Sequence, residues 1–552
     1  MAADKSADAG DWLAPLGFIG ITSGLAAARY AAWGFNPTDD GFVLAYARRI
    51  LEGQIPHRDF IAIHLAGSGY LHAPFVALGG DHTYLISRCF VWFQLAFVAW
   101  AWSELCARFA DARPPLAIQV GIALIGLILS AHYFPDMAWH TIDGLFLISA
   151  GFWMRVANAE TRVRFVGDVL LGAAILCKQN FLFCVPLIIL LCERRQRGRA
   201  VLAVLTLPAL YGVTVIVAGG ASEALTQLTT QSDLATPGFY KYLWEPAFAG
   251  GLAIGLLTFV LLRQRPELER QEVSDARNAS ADLAGLAIVL VLIVGAADAM
   301  TQGRYLGSPA FGLFGLACGS TLALAALSQS NDARWKLGLI VAAVGWCTAL
   351  SIGYNTPALA AGIAATFLLQ LWLPQSKASR SFWLAAGTLL AIVGAWCLWA
   401  LDQSRMKFVY LERPVSDLTW PLDGVLPGGA GLRTDRTTYL VLRDLKALTS
   451  RGEPYAILPD FAGWWPASTE SNPLPVDWSQ WIELGAPALR NRAIAAMNSQ
   501  RGGILFLVAK YDTPFLAKKL TPAPSSFRYP LAAYARTHYT KVGETPFFEI
   551  YR

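Results

Sequence analysis

Apolar runs of about 17–20 residues, each bounded by charge, recur along most of this chain, and that repetition limits what it can fold into. The first run is "LAPLGFIGITSGLAAARYAAW". A helix of such length satisfies its own backbone hydrogen bonds inside a bilayer, so each run reads as a membrane span. The 552 residues are 55% hydrophobic and only 15% charged, against about 25% charged in soluble domains. The expected fold class is a polytopic α-helical membrane protein. The head "MAADKSADAGDW" is polar and acidic, and no cleavable signal is expected there.

About thirteen spans are expected, at 13–33, 83–106, 115–132, 138–154, 164–178, 180–193, 200–218, 247–262, 282–300, 309–327, 335–352, 357–374 and 381–401. Segment 66–80 is apolar but short and glycine-rich, and reads as interfacial or re-entrant. Basic residues test this count. Turns on one side hold "RVANAETRVR", "ERRQRGR", "RQRPELERQEVSDAR", "NDARWK" and "SKASR". The opposite turns are nearly free of basic residues, except 34–82. The N-terminus is therefore expected in the cytoplasm, with the tail after Asp402 outside.

Two regions follow: a transmembrane part, 1–401, whose first outer loop is 34–82, and a tail, 402–552. In the loop, "TDDGFVLAYARRILEG" reads as a helix capped by Thr38 or Asp39 and ended by Gly53. Its stripe of Phe42, Ala45, Tyr46, Arg49 and Ile50 suggests a helix lying along the membrane surface. In the tail, "TDRTTYLVLRDLKALTSR" and "ALRNRAIAAMNSQ" read as helices. "YAILPD" and "GILFLVAKY" read as strands, and "YTKVGET" with "FFEIYR" as a hairpin. The tail is thus expected to be a C-terminal extracytoplasmic α/β domain.

Carboxylates beside hydrocarbon are costly and usually have a task. Asp39 and Asp40 stand just past the first span, and Asp136 opens the fourth with His140 one turn later. Arg58, His57, Lys178, Lys241 and Arg304 fall in turns on the same side. A carboxylate there suits a general base, and the cations suit an anionic group. "FAGWWPASTESNPLPVDW" offers Trp464, Trp465 and Asn472 as sugar contacts, or else packs as a plain loop. Arg29 is read as snorkelling outward, and Arg88 as a partner for Asp81.

All but one of the seven histidines lie between His57 and His140, without zinc spacing. The eight cysteines sit in or beside apolar runs and read as packing residues. No phosphate loop, dinucleotide fingerprint or basic–aromatic patch is present, which disfavours nucleotide chemistry and nucleic-acid partners.

"DDGFVLAYARRILEGQIPHRDF" resembles the first outer loop of the GT-C superfamily of integral-membrane glycosyltransferases. It is most similar to the bacterial branch related to protein mannosyltransferases and lipid A aminoarabinose transferases. Asp40 stands where that family's loop usually has Glu, and the family's catalytic Asp maps to Asp39. The resemblance implies transfer of a sugar from a polyprenyl-phosphate donor to a glycan, lipid or protein acceptor hydroxyl at the outer face of a bacterial cytoplasmic membrane. It implies Asp39, Asp40 and Asp136 as the working carboxylates. Arg58, Lys178, Lys241, Arg304, His57 and His140 become candidates for the donor phosphate. No resident cofactor or metal is expected, a divalent ion being the lesser reading, and membrane lipids are the remaining partner. The rival readings are a flippase for a lipid-linked saccharide and a non-catalytic protein of envelope assembly.

Overall fold

A computed structural model describes residues 12–110, 113–132, 135–157, 160–192, 196–230, 235–263, 271–303, 307–327, 333–350, 356–373, 379–523 and 527–552. A helix lies on every segment read as a span. The chain begins with α1 (Leu13–Tyr30), α2 (Phe42–Leu51), α3 (Gly67–Gly79), α4 (Thr83–Phe109), α5 (Leu116–Ala131), α6 (His140–Ala157) and α7 (Thr161–Cys177). It continues through α8 (Cys184–Cys192), α9 (Arg197–Val217), α10 (Ala221–Thr229), α11 (Ala235–Trp244), α12 (Pro246–Arg263) and α13 (Gln271–Thr301). The bundle ends with α14 (Gly307–Leu327), α15 (Arg334–Ala349), α16 (Ala361–Leu371) and α17 (Arg380–Lys407). Among the described residues, 5 helices are long and apolar enough to cross a membrane. The chain is a helical, membrane-embedded protein. The first of the five runs from Gly67 to Phe109 and joins α3 to α4. Gly80 breaks that run at φ +51°, a conformation that glycine adopts without a Cβ clash.

Small residues let the helices approach closely, as lipid-embedded bundles require. Gly251 and Gly255 of α12 face the backbone of α14. A Cβ on Gly255 would lie 2.5 Å from the Leu316 carbonyl oxygen, and one on Gly319 would lie 2.2 Å from that of Leu252. The opposite character marks α1 and α17. Leu13, Leu16, Ile21 and Leu25 of α1, with Leu384, Ile392, Leu398 and Trp399 of α17, are exposed. These apolar sides have lipid as their natural solvent.

After α17 come β1 (Trp420–Pro421), β2 (Arg433–Thr434), α18 (Arg436–Thr449), β3 (Tyr455–Leu458), α19 (Trp481–Leu484), α20 (Pro487–Ser499), β4 (Leu505–Ala509), α21 (Pro530–His538), β5 (Lys541–Glu544) and β6 (Phe548–Tyr551). Asp435 caps α18 by accepting from the Thr437 and Thr438 N–H groups. Four strands form a sheet in the order β3-β4-β6-β5, with β3 parallel to β4 and the other pairs antiparallel. The strand faces alternate in what they bury. Leu458, Phe506 and Val508 pack with Leu489 and Ala493 of α20 and Leu531 of α21. Ile457, Leu507 and Ile550 belong instead to the large core that runs through α18 and α2 into the bundle. The sheet is therefore packed onto the bundle rather than tethered to it.

This packing changes the expectation for α2. Phe42, Val43, Leu44, Ala45, Tyr46, Ala47 and Arg49 are all buried. The helix does not lie open on a membrane surface, because the tail covers the stripe itself. Arg49 donates to both Asp477 oxygens at 2.6 and 2.9 Å, and Tyr46 donates to Glu483 at 2.8 Å. The helix also starts later than expected. Its N-cap is Gly41, with no side-chain cap, so neither Thr38 nor Asp39 caps it. Gly53 follows its end at φ +80°.

Candidate active site

Residues 36–41 form a turn before α2, and it holds both carboxylates. The Asn36 side-chain oxygen accepts the Thr38 and Asp39 N–H groups at 3.1 and 3.0 Å. Such Asx turns compete with helix formation, which explains why α2 begins only at Phe42. Asp40 closes the turn by accepting the Asn36 N–H at 2.8 Å. Gly41 is required for close approach: a Cβ there would lie 2.2 Å from Gly463 Cα. The loop after β3 thus presses directly on the turn, and the Gly463 N–H donates to the Pro37 carbonyl at 2.7 Å.

The two carboxylates have different surroundings. Asp40 accepts from Arg88 at 2.8 Å, and Arg88 also donates to the Ala31 and Gly34 carbonyls. Arg88 therefore pairs with Asp40 and not with Asp81, which is exposed at the start of α4. Asp39 has no ion-pair partner among the described residues. Its Oδ2 accepts the Tyr410 hydroxyl at 2.8 Å. Burial pushes the Asp39 carboxyl up to about 6, with Tyr410 pulling down and Asp40 pushing up.

A cavity of about 360 Å³ opens beside this turn, where α1 and α17 end. Asp40, Asp136 and Glu412 line it together with Arg88, Arg405, Lys407 and Lys518. Asp136 accepts the Trp92 indole N–H at 3.1 Å and lies 3.6 Å from Arg405, whose guanidinium sits 5.0 Å from the Trp92 ring centroid. Glu412 accepts the Phe35 N–H at 3.0 Å and the Thr434 hydroxyl at 2.8 Å, while its Oε2 has no partner. Burial, then the charge of Asp435, pushes Glu412 up to about 8. Tyr410 borders the cavity and stands between it and Asp39. Arg29 near the cavity pairs with Asp402 at 2.9 Å instead of reaching outward alone.

The other expected residues fall elsewhere. Lys178 and His140 lie together in a second, buried cluster. Lys178 donates to Thr141 at 2.9 Å, and the His140 ring is 4.2 Å from that of His64. Burial, then Lys178, holds His64 down at about 3. Neither His140 nitrogen has a hydrogen-bond partner among the described residues. Arg58 pairs with its neighbour Asp59 at 2.7 Å on the exposed surface. His57 is buried between Gln227 and Tyr211, at 2.9 and 2.7 Å. Lys241 is exposed on α11. Arg304 lies outside the described residues.

The tryptophans follow the plainer reading. Trp464 and Trp465 are buried, the first donating to the Tyr455 hydroxyl at 2.9 Å and the second stacking on its ring. Asn472 is spent on Val476, Asp477 and Leu474 inside its own loop. None of the three offers an open face to a sugar. Among the described residues no three His, Cys, Asp or Glu side chains converge as metal ligands.

Tyr410, Glu412 and Asp460 bear on the site but were not expected from sequence. Only their position after the last span could have pointed to the first two. Comparison with protein-family models, curated proteins and solved structures finds no match.

Proposed function

We propose that this chain is a glycosyltransferase that moves a sugar from a polyprenyl-phosphate donor to an acceptor hydroxyl. The reaction would occur at the outer face of the cytoplasmic membrane, with thirteen spans and the tail outside. One observation carries the reading: a buried carboxyl with no ion-pair partner among the described residues, Asp39, stands one side chain away from a cation-lined cavity between lipid-facing helices. A prenyl chain lies along the apolar sides of α1 and α17, and its phosphate enters beside Arg405, Lys407 and Lys518. A turn of the Tyr410 side chain joins that phosphate to Asp39. Asp39 then removes the acceptor proton while the acceptor oxygen bonds to the anomeric carbon. The carbon–oxygen bond to phosphate breaks, its electron pair leaves with the phosphate, and the anomeric centre inverts. The cations stabilise the charge that develops there.

The test uses purified protein in vesicles and a panel of synthetic polyprenyl-phosphate sugars. Consumption of one donor by the wild type, with little consumption by Asp39→Asn, supports the reading. Equal consumption by both proteins rejects it. A second reading, a carrier of lipid-linked saccharide, is favoured by one feature. His72 and Asp143, both fully buried, meet at 3.0 Å inside the bundle with Gln94 at 2.8 Å. Ionisable groups within spans are usually functional. Donor movement across vesicles without any chemical change would select this reading.

A further inference from the structure

Asp39 faces a second buried carboxyl that the tail supplies. Asp460 follows β3 and is 0% exposed. The Thr38 hydroxyl lies 3.5 Å from the Asp460 backbone oxygen, and Gln480 donates to Asp460 Oδ2. Its other oxygen, Oδ1, is buried with no hydrogen-bond partner within bonding geometry among the described residues, the Thr38 hydroxyl being close enough to pull its pKa down slightly. A buried polar atom of this kind calls for an explanation, and a catalytic role is one. This orphan is not isolated. Asp460 bridges to Trp478, whose indole nitrogen is also unpartnered, and the Trp478 ring packs 5.1 Å from Phe42. The Phe42 ring also lies 6.1 Å from that of His140, whose two ring nitrogens have no hydrogen-bond partner among the described residues. Unspent polar groups of Trp478 and His140 thus lie near Phe42 at the start of α2.

We propose that Asp460 is a positioning residue of the transfer site, a neutral carboxyl that donates a hydrogen bond to a substrate oxygen opposite Asp39. This rests on the glycosyl-transfer reading and deepens it. The groups facing Asp460 are Asp39, Thr38, Gln480 and Arg528, with Tyr529 and Glu483 nearby. Arg528 does not form an ion pair with Asp460. It donates to Asp512 at 3.1 Å and lies over the Phe515 and Tyr529 rings. Burial is the main cause that pushes Asp460 well above the ordinary carboxylate range, and the charge of Asp39 adds to it. The two carboxyls are thus driven apart: Asp39 gives up its proton first and Asp460 keeps its own. Pairs separated in this way divide acid and base roles. No proton leaves Asp460 during the reaction. Its O–H orients the acceptor or sugar oxygen while Asp39 takes the acceptor proton.

The experiment compares pH profiles of donor consumption. Wild-type activity should rise through about pH 6 as Asp39 ionises, then fall on the alkaline side as Asp460 loses its proton. Asp460→Leu removes the donor and should lose on the order of 10²-fold, the typical cost of one preorganised donor. Asp460→Asn keeps a donor, so it should lose less and should no longer fall on the alkaline side. An alkaline fall that persists in Asp460→Asn overturns the proposal. So does a folded Asp460→Asn protein as inactive as Asp39→Asn. Infrared spectra near neutral pH give a check that needs no substrate. Part of the protonated-carboxyl band should vanish in Asp460→Asn and stay in Asp39→Asn, and an undiminished band in Asp460→Asn also overturns the proposal. Full activity in Asp39→Asn would instead sink the glycosyl-transfer reading and leave the infrared result standing.

Discussion

The turn at 36–41 has two sides, and they handle charge in opposite ways. On the cavity side each of two carboxylates meets an arginine: Asp40 with Arg88 at 2.8 Å, and Asp136 with Arg405 at 3.6 Å. On the tail side Asp39 and Asp460 are equally buried and meet no cation within ion-pair distance among the described residues. Burying a lone charge costs several kcal/mol, so such groups hold their protons instead. Asp39, pushed up to about 6, can exchange its proton near neutrality, which is what acid–base chemistry needs. Adjacent residues in one turn, Asp39 and Asp40, thus receive different electrostatic surroundings from their neighbours alone.

The largest expected effect tests that division. Asp39→Asn should keep the fold and lower transfer by about 10²–10⁴, the usual loss of a positioned base. Asp40→Asn should do the reverse, with less loss of transfer and more loss of thermal stability. It leaves Arg88 buried without its carboxylate, and breaking a buried pair costs about 3–5 kcal/mol. Thermal unfolding and donor consumption of the two variants, measured side by side, decide it. Swapped phenotypes would move the base to Asp40 and erase the contrast.

Arg405 probes the cavity side at intermediate size. A hydrogen bond to a charged group contributes about 1.5–3 kcal/mol. Arg405→Gln should therefore bind a polyprenyl-phosphate lipid roughly 10–100-fold more weakly, with the pH midpoint of the reaction unmoved. Native mass spectrometry of the retained lipid measures the first, and the pH profile the second. Unchanged lipid binding would detach the phosphate from the cavity and favour the buried Lys178 cluster.

These contrasts show what the sequence made legible. Apolar run lengths located the bundle helices, because span length is set by the bilayer and not by partners. The tail strands were legible for a related reason: the continuous runs "YAIL" and "LFLVA" are buried on both faces of the sheet. The start of α2 was not legible, since Asn36 and Asp40 form a turn that a capping rule reads as helix. Nor was its burial, because an apolar stripe does not say whether lipid or a distant tail will cover it. Asp39 was singled out by its place after a span and by resemblance. Its partners were hidden by separation: Tyr410 stands 371 residues away, and Arg88 reaches 48 residues back to Asp40, past the nearer Asp81. Sequence proximity chose the wrong acid because α4 turns that face of Arg88 towards the loop carbonyls at Ala31 and Gly34.

Tyr410 offers a finer test of the unpaired side. Its hydroxyl favours the ionised form of Asp39. Tyr410→Phe should raise the acid-side midpoint of transfer above about 6, with the alkaline side unmoved. A midpoint that stays or falls would mean that Tyr410 does not hold the working form of Asp39.

The smallest effect concerns Glu412, which belongs to neither side fully. It borders the cavity like Asp40, yet it is pushed up to about 8 by burial, as Asp39 is raised. A carboxyl that holds its proton more tightly when folded contributes stability fully below its ordinary value near 4.5, and that contribution is lost as pH rises through about 8. Glu412→Gln keeps an oxygen that can accept from Phe35 and Thr434 and has no proton to lose. The variant and wild type should therefore melt alike near pH 4.5, and the variant's advantage should grow to about pH 8 and then level off. The charge terms from Asp39 and Asp460 are common to both proteins and cancel in the difference. A melting difference that ignores pH would place Glu412 with the arginine-paired carboxylates of the cavity, one of its cations serving as partner.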